Sequence, residues 1–248
     1  MGRLVKLVYC EILKLKRCKI FNLSLIGALI APLMISGEIV KSKFDNPDKI
    51  ITFADLFEST NLYIMMIFGL ILYGLIAAYL ISREYSENTL KSVLTVPISK
   101  AKYLFSKFII LFIWILLLTI ISWISTIVFG FICGAEYLRT QDIIISIKAY
   151  LLGGVFLFLT SSPVVFITLY SKNIIAPIIF MASVVMANIM LSNSDLGVYF
   201  PWTTSHLAVS GIIEKYNTPY ATAYLIIILT FIIGIIASWM YFAKDDVR

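Results

Sequence analysis

At 248 residues, 60% of them hydrophobic and 14% charged, the chain is too apolar for a soluble domain and long enough for several membrane spans. A formal net charge of +6 in a soluble protein would suggest nucleic acid. Here the basic residues track a membrane topology instead, so nucleic-acid binding is excluded.

Six uncharged runs, taken with their flanks, predict helical spans over residues 20–38, 59–82, 106–135, 149–171, 173–193 and 217–243. Each is about long enough to cross the hydrocarbon layer, roughly 20 residues at 1.5 Å rise. The first is the weakest, being short and holding Pro32. Continuous apolar runs exclude a β-barrel, whose strands alternate. The expected fold is therefore all-α: one polytopic integral membrane domain over residues 1–248, with amphipathic helices at the N-terminus and between spans 2 and 3. Fourteen of the twenty Lys and Arg residues lie on the side of the termini and six on the other. The positive-inside rule then places both termini in the cytoplasm of a multi-pass plasma-membrane protein.

In chain order, residues 1–19 predict an amphipathic interfacial helix, with Leu4, Leu7, Val8, Leu15 and Cys18 near one face and Lys6, Glu11, Lys14, Lys16 and Arg17 around the rest. It reads as a lipid-surface anchor or as one wall of a partner's socket. The basic N-terminus and the first apolar run lack the pattern of a cleavable signal peptide. Residues 38–58 predict a solvated hairpin of mixed charge turning at Asn46-Pro47. Its carboxylates lack the spacing of an oxygen-ligand metal loop.

Residues 83–105 form the longest polar interval on the cytoplasmic side. Glu87 and Lys91 stand four apart with the acid first, which favours helix, while Leu90, Val93 and Leu94 form an apolar stripe and Pro97 ends it. The element reads as an interfacial helix or as a docking surface for a soluble partner. For Glu84, three roles compete: an ion pair with Arg83, a helix N-terminal charge, or a contact to that partner. Span 4 carries Gly153-Gly154 and Ser161-Ser162-Pro163, marks of a closely packed or hinged helix. Asn188 in span 5 reads as an amide bonding a neighbouring helix. Residues 195–215 are too apolar for a free loop and too broken for a span, so they predict a re-entrant or interfacial segment with Tyr199, Phe200 and Trp202 at headgroup depth. His206, the one histidine, reads as an interfacial hydrogen-bonding residue. Cys10, Cys18 and Cys133 read as packing residues.

No phosphate-binding loop GxxxxGK[ST] occurs, and no Ser/His/Asp, Cys/His or paired-carboxylate constellation is written into the chain. Catalysis is not expected, nor a metal site or directly bound cofactor. The uncharged runs also lack the relay groups of an ion-coupled carrier, so energy for transport has to arrive from outside the chain.

The run Arg83-Glu84, Asn88-Thr89-Leu90-Lys91, Leu94, Pro97-Ile98-Ser99 and Lys107 resembles the intracellular signature of type-2 ABC exporter permeases, in which an acidic residue precedes a threonine-leucine pair. More narrowly, EILKLKRCKIF (11–21), YLISREYSENTLKSVLTVPISK (79–100), SPVVFITL (162–169) and YFPWT (199–203) look like the bacitracin-resistance permease subfamily, close to the lantibiotic-immunity permeases. The resemblance covers nearly the whole chain. It implies a permease subunit paired with a second copy or a paralogue, and an ABC ATPase subunit that carries ATP and magnesium. The ATPase is expected to dock on Arg83, Glu84, Glu87, Asn88, Thr89, Leu90, Lys91 and Pro97 and on the N-terminal helix at Lys6, Glu11, Lys14, Lys16 and Arg17. Phe200, Pro201 and Trp202 are expected to close the extracellular side. The implied cargo is an amphipathic peptide antibiotic, bacitracin or a lantibiotic; a lipid or lipid-linked precursor is the alternative, and a non-transporting membrane anchor for a cytoplasmic partner is another.

Overall fold

The computed structural model describes residues 2–16, 18–47, 50–87 and 99–244, with every side chain there except those of residues 2, 3 and 16. Helix α1 (Gly2–Lys16) precedes α2 (Lys19–Asp45). Next comes a long rod made of α3 (Phe53–Tyr63), a π-helical turn (Ile64–Phe68) and α4 (Gly69–Ser86). Helix α5 (Lys100–Ile132) is followed by α6 (Thr140–Thr160) and α7 (Ser162–Ser171), which continue one another. Helix α8 (Ile175–Leu191), a short α9 (Pro201–Ser210) flanked by 3-10 turns, and α10 (Tyr220–Lys244) complete the chain.

Five of these rods are long and apolar enough to cross a membrane: 19–45, 53–86, 100–132, 140–171 and 220–244. The sixth expected span is the shorter α8, whose 17 residues extend about 25 Å. The fold is the expected all-α polytopic bundle, with two differences at the far end. Helix α2 runs on through Asp45, and α3 starts at Phe53 with Thr52 and Asp55 forming a reciprocal capping box. Most of the predicted hairpin over 38–58 is therefore helix. The first rod, expected to be short, is 27 residues long.

The prolines explain how apolar helices tolerate broken ladders. Pro32 has no N–H for the carbonyl of Ala28, and the Ser122 hydroxyl of α5 donates to that oxygen at 2.8 Å. Pro163 likewise frees the Leu159 carbonyl, which accepts from the Ser162 hydroxyl at 3.1 Å. At the π-helical turn, Asn188 of α8 donates to the Met66 carbonyl at 3.1 Å and accepts from Thr203 at 2.6 Å. In a layer without water, each such side chain supplies a hydrogen bond to a carbonyl that the helical ladder leaves open. Asn188 thus bonds neighbouring helices, as its position in an apolar run predicts.

The core is aromatic, with Trp114, Tyr150, Phe53 and Phe242 among the largest fully buried side chains. The polar ends of Trp114, Tyr73 and Tyr150 find partners on adjacent helices. Trp114 donates to Ser24 at 3.0 Å, joining α5 to α2, and Tyr73 meets Thr119 at 3.0 Å, joining α4 to α5. Gly154 lets α6 approach α5 so closely that an added Cβ would sit 2.6 Å from the Thr119 hydroxyl.

The bundle has two distinct ends. At one end lie α1, the last turn of α4, the first turns of α5 and the end of α10, where Lys100 donates to the Ala243 carbonyl at 3.1 Å. The opposite end is tied by the Phe53 N–H donating to Glu136 and the Glu136 N–H donating to Ile51. There α9 packs among α6, α10 and the π-helical turn.

Candidate functional site

At the end of the bundle that carries α1, four charged side chains from three helices meet. In α1, the residues at positions 4, 7, 8, 11 and 15 share one face at helical spacing, and that face packs on α5. Glu11 lies on it and is 7% exposed, so it belongs to the inward stripe rather than to the polar remainder where the sequence had placed it. Glu84 in the last turn of α4 and Lys107 in the second turn of α5 are each 3% exposed.

Lys107 bridges the two acids. Its Nζ donates to Glu84 Oε1 at 2.6 Å and to Glu11 Oε2 at 2.7 Å. Lys14 closes the square, donating to Glu84 Oε1 at 3.0 Å and to Glu11 Oε1 at 3.1 Å. The Tyr103 ring lies 5.3 Å from the Lys107 ammonium, within cation–π range. Two positive and two negative charges balance. Burial pulls the Lys14 ammonium down, but Glu11 and Glu84 together outweigh that effect and hold it above the ordinary lysine range.

Chemically this cluster holds but does not react. Every carboxylate is engaged by an ammonium, and no nucleophile sits against a base. A buried ion cluster adds little net stability over an apolar core, yet breaking it by removing one member is costly, so it fixes geometry. The geometry fixed is the stem of residues 88–98: Glu84 stands at the end of the helix entering that segment and Lys107 near the start of the helix leaving it. Glu11 and Lys14 fasten α1 to the same stem. Ser99 marks the restart of helix by accepting from the Lys102 N–H at 3.4 Å.

The remaining expected site residues fall as follows. Arg83 pairs with Glu87 at 2.8 Å, one turn along an exposed face, so the adjacent Glu84 is not its partner and turns inward instead. Asn88, Thr89, Leu90, Lys91 and Pro97 lie outside the described residues, as do Arg17 and the side chain of Lys16. Lys6 is exposed on α1, away from the cluster. Phe200 and Pro201 start α9, with the proline at the first helical position, where its missing N–H costs nothing. Trp202 is 7% exposed and packs edge-on to Phe180, with centroids 6.0 Å apart, and against Phe200 at 5.1 Å. It is a core side chain of the far end, whereas Tyr199 is exposed.

Tyr103 escaped the sequence reading, and Lys107 entered it only as the last residue of the intracellular signature, with no role of its own. The available signal was its setting, a lone ammonium flanked by Leu104, Phe108 and Leu111 on one helical stripe. Such a lysine has to find acids from elsewhere in the fold.

Comparison with known proteins agrees with the architecture. Residues 7–188 match the ABC-2 family transporter protein family. The chain is also similar to the bacitracin transport permease protein BCRB of Bacillus licheniformis, at 38% identity over 209 residues, covering 84% of this chain and 99% of that protein. The chain belongs to the ABC-2 transporter family, and its long apolar rods make it a multi-pass membrane permease of that family.

Proposed function

We propose that the chain is the membrane subunit of an ATP-driven exporter that removes an amphipathic peptide antibiotic, bacitracin or a lantibiotic, from the membrane. Two permease subunits, identical or paralogous, would form the pathway. A separate ATPase subunit, carrying ATP and magnesium, would dock in the cytoplasm on α1 and on residues 83–105. The observation that carries this reading is the Glu11–Lys14–Glu84–Lys107 square. It makes α1 and both stems of the 88–98 segment one mechanical unit, so a push on either surface element reaches α4 and α5 together. Apolar side chains exposed along α10, such as Leu225, Ile228, Leu229 and Ile232, offer a face to lipid or to the second permease. The similarity to a bacitracin transport permease supports the cargo class. Phe200, Pro201 and Trp202 would close the far side by holding α9 in place.

The test is growth of a bacitracin-sensitive bacterium expressing the chain with and without its ATPase. The expected result is a raised inhibitory concentration that needs both proteins, and that falls in Glu84→Gln by more than the accompanying drop in membrane abundance explains while ATPase co-purification persists. Stimulation of the ATPase by a lipid-linked precursor but not by peptide would move the cargo to the alternative class. No ATPase association at all would leave a membrane anchor.

A further inference from the structure

Beside the charged square, at the same end of the bundle, a groove of about 510 Å³ opens between α1, α5 and α10, within the size range of small-ligand sites. Its walls are Leu4 of α1, Phe105 and Phe108 of α5, and Ile235 and Trp239 of α10, and Lys102 is its one charged lining residue. Lys100 donates to the Ala243 carbonyl, which sets the ends of α5 and α10 level. From Lys102 at that end the groove runs inward to Phe108 and Ile235, each eight residues from the tie, roughly 12 Å at 1.5 Å per residue. It is cationic at its mouth and apolar along its depth. Phe105 and Trp239 stay 57% and 51% exposed, and large rings of this kind collect where headgroups meet acyl chains. Lys102 is exposed and makes no ion pair among the described residues, whereas the carboxylates described at this end, Glu11, Glu84 and Glu87, are held by Lys14, Lys107 and Arg83.

We infer that this groove binds an anionic phospholipid, with an acyl chain along the apolar walls and the phosphate on the Lys102 ammonium. The charge at the mouth selects the headgroup: a zwitterionic lipid brings its own ammonium beside Lys102 and forfeits the net attraction. The width selects the tail. Spread over its depth, the groove has a cross-section of about 40 Å², half or less of the roughly 80–110 Å² that a helix of 10–12 Å diameter fills, so a helix of a second copy does not fit inside it. A tail lodged there touches α1, α5 and α10 at once. It therefore joins α10, which contributes nothing to the square, to the unit that α1, α4 and α5 form. The site goes beyond the transport reading and stands without it.

Trp239 reports on the groove, its signal being the difference in fluorescence between the parent and Trp239→Phe. The full chain is placed in phosphatidylcholine nanodiscs that contain a rising fraction of phosphatidylglycerol or phosphatidylcholine with brominated acyl chains, which quench a tryptophan they touch. Half-quenching of Trp239 is expected at a roughly fivefold lower fraction of the brominated phosphatidylglycerol, as about 1 kcal/mol of attraction per lysine at the surface requires. Lys102→Gln should erase that preference, while Lys19→Gln, at an exposed lysine of the same end outside the groove, should keep it. Three results overturn the proposal. Equal quenching by the two lipids in the parent leaves ordinary lipid contact, an equal loss in both lysine variants leaves a diffuse surface charge, and protection of Trp239 from both lipids assigns the groove to a second copy of the chain. Neither ATPase nor antibiotic is present, so failure here leaves the transport reading standing, and failure of transport leaves this site standing.

Discussion

Lys107 Nζ stands 2.6 Å from Glu84 Oε1 across the mouth of the 88–98 segment, with both side chains 3% exposed. Glu84 is the last buried residue of α4, and its neighbour Arg83 faces outward to Glu87. One backbone step thus separates a buried structural charge from a surface pair.

That step predicts very different costs for a lysine-to-apolar and an arginine-to-apolar change. Lys107→Met leaves Glu11 and Glu84 buried with half their partners and should cost about 3–5 kcal/mol. Arg83→Ala breaks an exposed i,i+4 pair and should cost about 0–1 kcal/mol. Thermal unfolding in detergent, with membrane abundance measured alongside, checks both; equal losses would show that the square is not a buried unit.

The Ser122 hydroxyl has a specific task, which is to satisfy the Ala28 carbonyl that Pro32 leaves open. Ser122→Ala should cost about 0.6–2 kcal/mol. In a Pro32→Ala background the restored N–H takes over, and the same change should cost much less. A double-mutant cycle with no coupling would refute this pairing.

Two glycines should respond in opposite directions to alanine. A Cβ at Gly234 would lie 2.7 Å from the Ser162 backbone carbon, where α10 touches α7, so Gly234→Ala should destabilise by about 1–3 kcal/mol. Gly37 has nothing within 4 Å of an added Cβ and sits inside α2, so Gly37→Ala should stabilise by about 0.5–1 kcal/mol. Melting temperatures of the two variants decide it.

Acid should weaken the fold partly through His206. Its folded value is depressed to about 4 from an ordinary 6.5 by burial. Stability from the neutral ring is therefore present above pH 6.5 and is lost as pH falls toward 4. Glu58 and Asp142, which line the same cleft as His206, are common to both proteins. His206→Gln should accordingly lose less stability than the parent between pH 6.5 and 4. Parallel pH profiles would remove the histidine from the account.

Trp202→Ala empties a buried aromatic site against Phe180 and Phe200 and should cost about 3–5 kcal/mol, lowering abundance as well as resistance. A test of the proposed outer closure is cleaner at the half-buried Phe200. Phe200→Leu should preserve abundance and ATPase association while changing resistance to the peptide, and unchanged resistance would dismiss the gate.

Composition and periodicity alone determined the all-helical membrane class, because a chain in hydrocarbon satisfies its backbone only as helices or as a closed barrel, and continuous apolar runs of this length exclude the barrel. The α1 helix, the role of Asn188 and the close approach at Gly153-Gly154 were legible for the same local reason. Three things were decided only by tertiary structure. The hairpin over 38–58 became helix because α2 and α3 extend their ladders past the uncharged runs, which charge spacing cannot reveal. Glu84 turned from Arg83 to Lys107 and Lys14 because neighbours in sequence point to different faces of a helix, and the better partners arrive from 23 and 70 residues away. His206 lost its expected partner because α9 folds inward and buries Nδ1 in the cleft wall. Burial of a charge or an imidazole depends on which helices pack around it, and a single helix does not record that.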